Sequence, residues 1–373
     1  MNVLHICNNF INSTVHQKMA QASRKMGIRN VVFAPVVTMN GRVMPGEDEH
    51  AVNCVNKWDR FFFYHKQRKT YDALKNTIPT LEFDLVHAHC TFTDGNVALR
   101  LKQERGIPYL VTVNNTDMNH FFRLRRLLRG RGIEILRQAS AIVFISPAYR
   151  DQLFRQYIPE KYQEELVAKS YVIPFGIDDF WLENLNPQTV QLAEGKKLRL
   201  VYAGDICENK NLLTIVQAME LLRLKGWKIT FSVAGKILSH EVYKRVMAAE
   251  GVTYAGLLTK EDLLQLYRQN DLFVMPSFKD TFGLVYAEAL SQGLPILYSE
   301  GQGFDMQLPE GSVGYRVDPH DAQALAEAME RVAQNYTKLQ SRCAEAAKTF
   351  SWASVSKKYQ DIYDSITVEE GAL

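Results

Sequence analysis

Two short stretches carry residue types suited to holding a phosphorylated ligand. The first reads Pro276-Ser-Phe-Lys-Asp-Thr-Phe-Gly-Leu-Val-Tyr-Ala-Glu-Ala-Leu-Ser-Gln-Gly-Leu-Pro295 and follows the apolar run Leu272–Met275. Its composition predicts a strand, a turn at Thr281–Gly283, and a helix ending near Gly293. Gly283 allows a ligand to approach the backbone closely. The N–H groups of Gly283, Leu284 and Val285 then lie at a helix start, where unpaired donors and the helix dipole favour anions. Asp280 stands just before that start, and Glu288 about a turn and a half inside it. Amides suit phosphate and carboxylates suit hydroxyls, so the stretch fits a sugar nucleotide. Taken singly, Asp280 also reads as a helix cap and Glu288 as a solvated helix residue. The second stretch, Ala203-Gly-Asp-Ile-Cys-Glu-Asn-Lys-Asn211, joins another strand to another helix. Its Lys210 is a compact cation placed to neutralise a diphosphate.

Together these stretches resemble the donor-binding signature of glycosyltransferase family 4. Asp280, Phe282, Gly283 and Glu288 match the acidic residue, Phe-Gly and later Glu of that signature, and Gly204 and Lys210 match its glycine and lysine. Val172-Ile-Pro-Phe-Gly-Ile-Asp178, Asn270–Ser277, Gly314–Pro319 and Phe350-Ser-Trp352 also fit, so the resemblance covers essentially the whole chain and is strongest over residues 171–320. Two positions depart from it. Asp280 replaces the usual Glu, and Asp205 stands where the family has an Arg. The resemblance implies an α/β protein of GT-B architecture, with two Rossmann-like doubly wound domains and a cleft between them. It implies a retaining hexosyltransferase that takes a UDP- or GDP-sugar as substrate and needs no cofactor, with Lys210, Asp280, Glu288 and His89 as the catalytic candidates. The absence of a DxD motif removes the usual pointer to a bound metal.

The first half offers fewer signals. Asn12 and Ser13 begin its first helix and are candidate donor-binding residues, although a simple helix cap reads equally well. Asp84-Leu-Val-His-Ala-His89 ends a strand. Its two histidines are taken to face opposite sides, which sets a shared metal aside; His87 is then a packing residue and His89 a border of the acceptor pocket. Asn114 occupies the place where family members carry a His, and an amide is no general base. Lys57–Lys69 and Phe121–Arg131 interleave Arg and Lys with Phe, Trp and Leu, a composition suited to an anionic membrane surface. No nucleic-acid motif accompanies them. Bacterial surface polysaccharide or glycolipid assembly would use such a surface. A sugar-nucleotide epimerase of the same fold and a non-catalytic partner subunit are the competing readings. A nicotinamide enzyme is disfavoured, because no GxGxxG follows either half's first strand.

These residues need a scaffold, and the rest of the sequence supplies one. Strands are expected at Val3–Ile6, Asn30–Phe33, Leu85–Ala88, Tyr109–Val113, Ala141–Ile145, Tyr171–Ile173, Leu198–Tyr202, Lys228–Ala234, Val252–Tyr254, Leu272–Met275 and Pro295–Leu297. Amphipathic helices separate them, and strand–helix alternation over this length predicts parallel sheets covered on both faces. The polar segment 181–197 predicts a domain boundary, giving residues 1–185 and 186–350, with 351–370 returning to the first domain. At 373 residues, 46% hydrophobic and 23% charged, the chain reads as globular with room for two or three cores. Five scattered cysteines without a CxxC pair argue against disulfides or a zinc ribbon and suit a cytosolic address. Residues 1–180 carry 24 basic and 17 acidic side chains and the remainder 20 and 24, so the halves are expected to meet different partners.

Overall fold

The computed structural model describes residues 1–37, 46–188, 191–192 and 195–371. The chain divides into two compact units: Met1–Ile145 with Tyr149–Phe175 and the segment from Trp352, and Ser146–Ala148 with Gly176–Ser351. The division therefore falls near residue 175, ten residues earlier than the composition suggests. The reason is Trp181 on the short helix Asp179–Glu183, which is fully buried and packs against Tyr267 of the second unit. Asn186 continues the attachment by donating its N–H to the Ser291 carbonyl at 2.9 Å. One buried aromatic outweighs the polar residues around it. Within the expected 181–197 linker, residues 189–190 and 193–194 lie outside the described residues.

The first unit contains β1 (Asn2–Ile6), β2 (Arg29–Val36), β3 (Glu49–Asn53), β4 (Leu85–Ala88), β5 (Tyr109–Val113), β6 (Ala141–Phe144) and β7 (Ser170–Val172). They form one parallel sheet in the order β3-β2-β1-β4-β5-β6-β7. Every residue of β4, β5 and β6 is buried, as strands covered on both faces require. Side chains alternate across the sheet. Leu4, Ile6, Val86 and Val111 enter one core, while Val3, Leu85, Leu110 and Val143 enter the other. The second core is closed by the helix Trp352–Gly371, whose Trp352, Val355, Tyr359, Ile362, Tyr363 and Ile366 fall at helical spacing along one stripe.

The second unit contains β8 (Lys197–Ala203), β9 (Lys228–Ala234), β10 (Val252–Gly256), β11 (Leu272–Met275), β12 (Ile296–Ser299) and β13 (Gly314–Val317). Its parallel sheet has the order β10-β9-β8-β11-β12-β13. Both units are thus doubly wound α/β structures. Each sheet reverses its strand order once, between β1 and β4 in the first and between β8 and β11 in the second, and ligands of such sheets bind outside the strand ends at that reversal. Among the described residues, no helix is long and apolar enough to cross a membrane.

Candidate functional site

In the second unit the loops after β8 and β11 are stitched together. Asn211 adopts a left-handed conformation (φ 58°) at the start of helix Leu212–Leu224. Its buried side-chain amide donates to the carbonyls of Pro276 at 2.9 Å and Pro319 at 2.6 Å. Asn209 donates from its side chain to the Lys279 carbonyl at 2.8 Å, and its own carbonyl accepts from the Phe278 N–H at 2.9 Å. Gly204 sits at the base of the first loop, with its N–H on the Ala234 carbonyl. Facing it, Gly235 has φ 135°, and a Cβ there would lie 1.9 Å from the Gly204 carbonyl oxygen. Only glycine permits this approach.

That stitching brings Lys210 Nζ to 3.0 Å from Asp280 Oδ2, across 70 residues of sequence. The Lys210 side chain is 21% exposed, so the pair is neither sealed in nor fully solvated. The Asp280 N–H is held by the side-chain carbonyl of Gln302 at 3.2 Å. Phe282 is buried against Phe304 and Phe350 and anchors the turn. Gly283 then opens the helix Leu284–Ser291 with φ 81°, in a position where a Cβ would lie 2.5 Å from the Tyr286 ring. The Tyr286 hydroxyl donates in turn to the Met275 carbonyl at the end of β11. The helix start at Gly283, Leu284 and Val285 therefore follows the Lys210–Asp280 pair directly in the chain, and a helix start of this kind favours an anion.

Glu288 faces another group. Burial pushes its carboxyl up to about 7, the nearby Lys260 works against that rise, Asp178 adds to it, and a hydrogen bond from the Trp181 side chain again lowers it. Lys260 and Asp178 form an ion pair at 2.5 Å. Glu288 thus lies beside the helix Asp179–Glu183 and Tyr267. Asp205, at the position of the family's Arg, is exposed, and its carbonyl accepts from the Tyr202 hydroxyl at 2.7 Å.

The first-half candidates all lie in the other unit. Ser13 caps the helix Thr14–Lys25: its hydroxyl accepts from the His16 N–H and lies 2.8 Å from His16 Nδ1. Asn12 ends the preceding 3-10 turn with its N–H on the Asn9 carbonyl. His87 and His89 do not face opposite sides. Side chains two apart on a strand share a face, and the two rings stack with centroids 4.0 Å apart. His87 is fully buried, between the Tyr363 hydroxyl at 2.6 Å and the Thr112 hydroxyl at 3.0 Å. His89 Nε2 lies 3.0 Å from His5 Nδ1, and His16 meets the His89 ring edge-on at 5.0 Å. Burial holds the His87 and His89 rings well below the usual range and lowers His5 and His16 to about 4, so all four are neutral at physiological pH. Asn114 is a turn residue: its side-chain oxygen accepts from the Thr116 N–H at 2.9 Å and its amide donates to the His89 carbonyl at 3.2 Å.

Sequence reasoning passed over two buried acids beside these rings. Asp117 accepts from the N–H groups of Thr91, Phe92 and Asn114 and fixes that loop. Asp94 is pushed up to about 8, chiefly by burial. The basic–aromatic segments are also tied together, since Arg125 donates to the Arg60 carbonyl at 2.9 Å. Trp58 is 74% exposed and Leu127 99% exposed on them. The Phe121–Arg131 stretch is not one continuous helix: a π-helical turn at Asp117–Phe122 and a 3-10 turn at Arg126–Leu128 precede the helix Arg129–Gln138.

Two family models match the chain: Glycosyltransferase Family 4 over residues 13–179 and Glycosyl transferases group 1 over residues 187–350. Glycogen synthase of Mycobacterium tuberculosis is 24% identical over 296 residues, which cover 75% of this chain and 68% of that protein. Sucrose-phosphate synthase from Thermosynechococcus elongatus superimposes with a TM-score of 0.75 at 18% identity, covering 99% of this chain and 100% of that one. HepE of Anabaena, in complex with UDP-glucose, superimposes with a TM-score of 0.65 at 14% identity, covering 98% and 100%.

Proposed function

The chain belongs to the group 1 glycosyl transferases of glycosyltransferase family 4 and is a nucleotide-sugar glycosyltransferase of GT-B fold, and from that premise we propose that its second unit holds the donor diphosphate between Lys210 and the helix start at Gly283–Val285. The observation that carries this reading is the 3.0 Å pair of Lys210 with Asp280 at the strand-order reversal of that unit. A diphosphate arriving there meets a cation already positioned by Asp280, together with helix-start amides. Such preorganised charge stabilises a departing phosphate without reorganisation at the moment of reaction.

The donor in this reading is a UDP- or GDP-sugar; the UDP-glucose complex of the similarly folded HepE favours the first. Transfer goes to an acceptor hydroxyl with retention of anomeric configuration and without a metal in the transfer step. The acceptor proton passes to the leaving phosphate oxygen as the glycosidic bond to phosphate breaks and the new one forms, so no protein nucleophile is required. Asn12, Ser13 and His89 are the substrate-binding residues that this reading places in the first unit. Glu288, with its raised carboxyl, serves a donor hydroxyl. The exposed Trp58, Leu127 and their arginines suit an anionic membrane surface, and with it a lipid-linked acceptor in bacterial surface polysaccharide or glycolipid assembly.

The test is incubation with a panel of UDP- and GDP-sugars and lipid-linked or free acceptors, with the product anomer read by NMR. A product keeping the donor's anomeric configuration is expected. Inversion, or sugar isomerisation with donor alone, would overturn the assignment.

A further inference from the structure

The strand-order reversal of the first unit carries a thiol and imidazoles of which the transfer reaction, as proposed, calls only on His89. Cys7 follows β1 and His89 follows β4, the two strands flanking the reversal, and His16 reaches them from the helix Thr14–Lys25. One ligating atom from each of Cys7, His16 and His89 lies within 4.8 Å of the others. Cys7 and His89 are buried and His16 partly so.

The hydrogen bonds decide which nitrogen of each ring is available. Asn30 donates from Nδ2 to the Ala20 carbonyl at 3.1 Å, which orients its amide and leaves Oδ1 to accept from His5 Nε2 at 2.8 Å. Neutral His5 therefore carries its proton on Nε2 and accepts at Nδ1. His89 Nε2, 3.0 Å away, must supply that proton, so the lone pair of His89 lies on Nδ1. His16 has Ser13 Oγ at 2.8 Å from Nδ1, so a proton kept there frees Nε2. Each ring thus has one nitrogen engaged by a supporting group and one left over, the arrangement by which proteins orient histidine ligands toward a metal. Close by, Asp94 has a buried Oδ2 without a hydrogen-bond partner among the described residues.

We propose that Cys7, His16 and His89 form a binding site for a divalent cation of the zinc class, three protein ligands with a fourth position open to solvent or ligand. One thiolate and two imidazoles are the donor set that borderline-soft ions select over magnesium or calcium. Metal–ligand bonds of about 2.0–2.3 Å place tetrahedral ligands roughly 3.3–3.6 Å apart, so the three side chains need close inward by no more than about 1.5 Å on binding. As the metal–sulfur bond forms, the Cys7 proton passes to the buffer. Bound here, the ion fastens the loop after β1 to the loop after β4 and to the first helix; it takes no part in the transfer step.

The experiment is titration of the tag-free, reduced, chelator-stripped full chain with Co²⁺ alone, without donor or acceptor, so its outcome is independent of glycosyl transfer. One Co²⁺ per chain is expected, with a near-ultraviolet thiolate-to-cobalt band and visible bands of tetrahedral intensity, all displaced by Zn²⁺. Cys7→Ser should abolish the near-ultraviolet band while Cys207→Ser keeps it. His89→Gln should weaken binding at least tenfold. A folded wild-type chain that shows no thiolate–cobalt band overturns the proposal whatever the variants do, as does a band that survives in Cys7→Ser.

Discussion

At the strand-order reversal of the second sheet, two loops meet through charge: Lys210 and Asp280 sit 3.0 Å apart beside a helix start, partly open to solvent. At the reversal of the first sheet, the equivalent loops meet through neutral rings: His5, His16, His87 and His89 lie mostly buried, linked to one another and to Asn30, Thr112 and Tyr363. The same topology thus presents two chemistries. A part-exposed lysine beside helix-start amides suits a phosphate, because its charge is offered without the desolvation cost of full burial. A buried array of neutral nitrogens and a thiol suits lone-pair donation. Doubly wound topology fixes where a ligand can sit, and the side chains brought to that place decide which ligand.

The comparison can be broken first at its charged side. Lys210→Ala should lower turnover by about a hundredfold, the scale of losing one preorganised electrostatic contact; steady-state kinetics under saturating donor reads this. Gly235→Ala should destabilise the second unit by about 1–3 kcal/mol, because its Cβ would fall 1.9 Å from the Gly204 carbonyl. Denaturant unfolding measures that loss, and an unchanged midpoint would mean that the two loop bases are not in contact.

Glu288 sharpens the contrast through pH. Its carboxyl keeps its proton in the folded chain up to about 7, against an ordinary value of 4.5. Between those values the folded state binds more protons than the unfolded one, so stability contributed by this group falls as pH rises through the window. Donor binding has the opposite slope if the ionised carboxylate accepts a hydroxyl. The ionised fraction grows about tenfold from pH 6 to pH 8, and apparent affinity should follow it. Titrations at the two pH values check this, and Glu288→Gln should flatten the profile. The smallest effect belongs to the surface patch. Arg126→Ser should weaken binding to anionic vesicles about fivefold, the share of one basic residue near a charged membrane, with turnover on a water-soluble acceptor unchanged.

Much of this architecture is readable from residues alone, and the gaps have physical causes. Leu85–Ala88, Tyr109–Val113 and Leu272–Met275 are found where the apolar runs place them, since strands covered on both faces announce themselves as continuous hydrophobic stretches. The strands that escape detection, Glu49–Asn53 and Gly314–Val317, are both edge strands. Each carries charged residues, Glu49 in one and Arg316 in the other, and neither presents an uninterrupted apolar run. The residues of the loops after β8 and β11 are legible as ordered motifs, but their meeting is not. Asn211 and Gln302 hold those loops through bonds to backbone or from backbone that no local spacing reveals. The histidine array could have been found from parity alone: His5 and His87 occupy paired positions on neighbouring strands, and His89 shares the His87 face.

Whether Lys210 grips a diphosphate is read by calorimetric titration with UDP, GDP and their parent nucleosides. A nucleoside diphosphate is expected to bind the wild-type chain, and Lys210→Ala to lose at least tenfold of that affinity while binding of the nucleoside alone stays the same. Equal diphosphate affinity in the two proteins would contradict that grip.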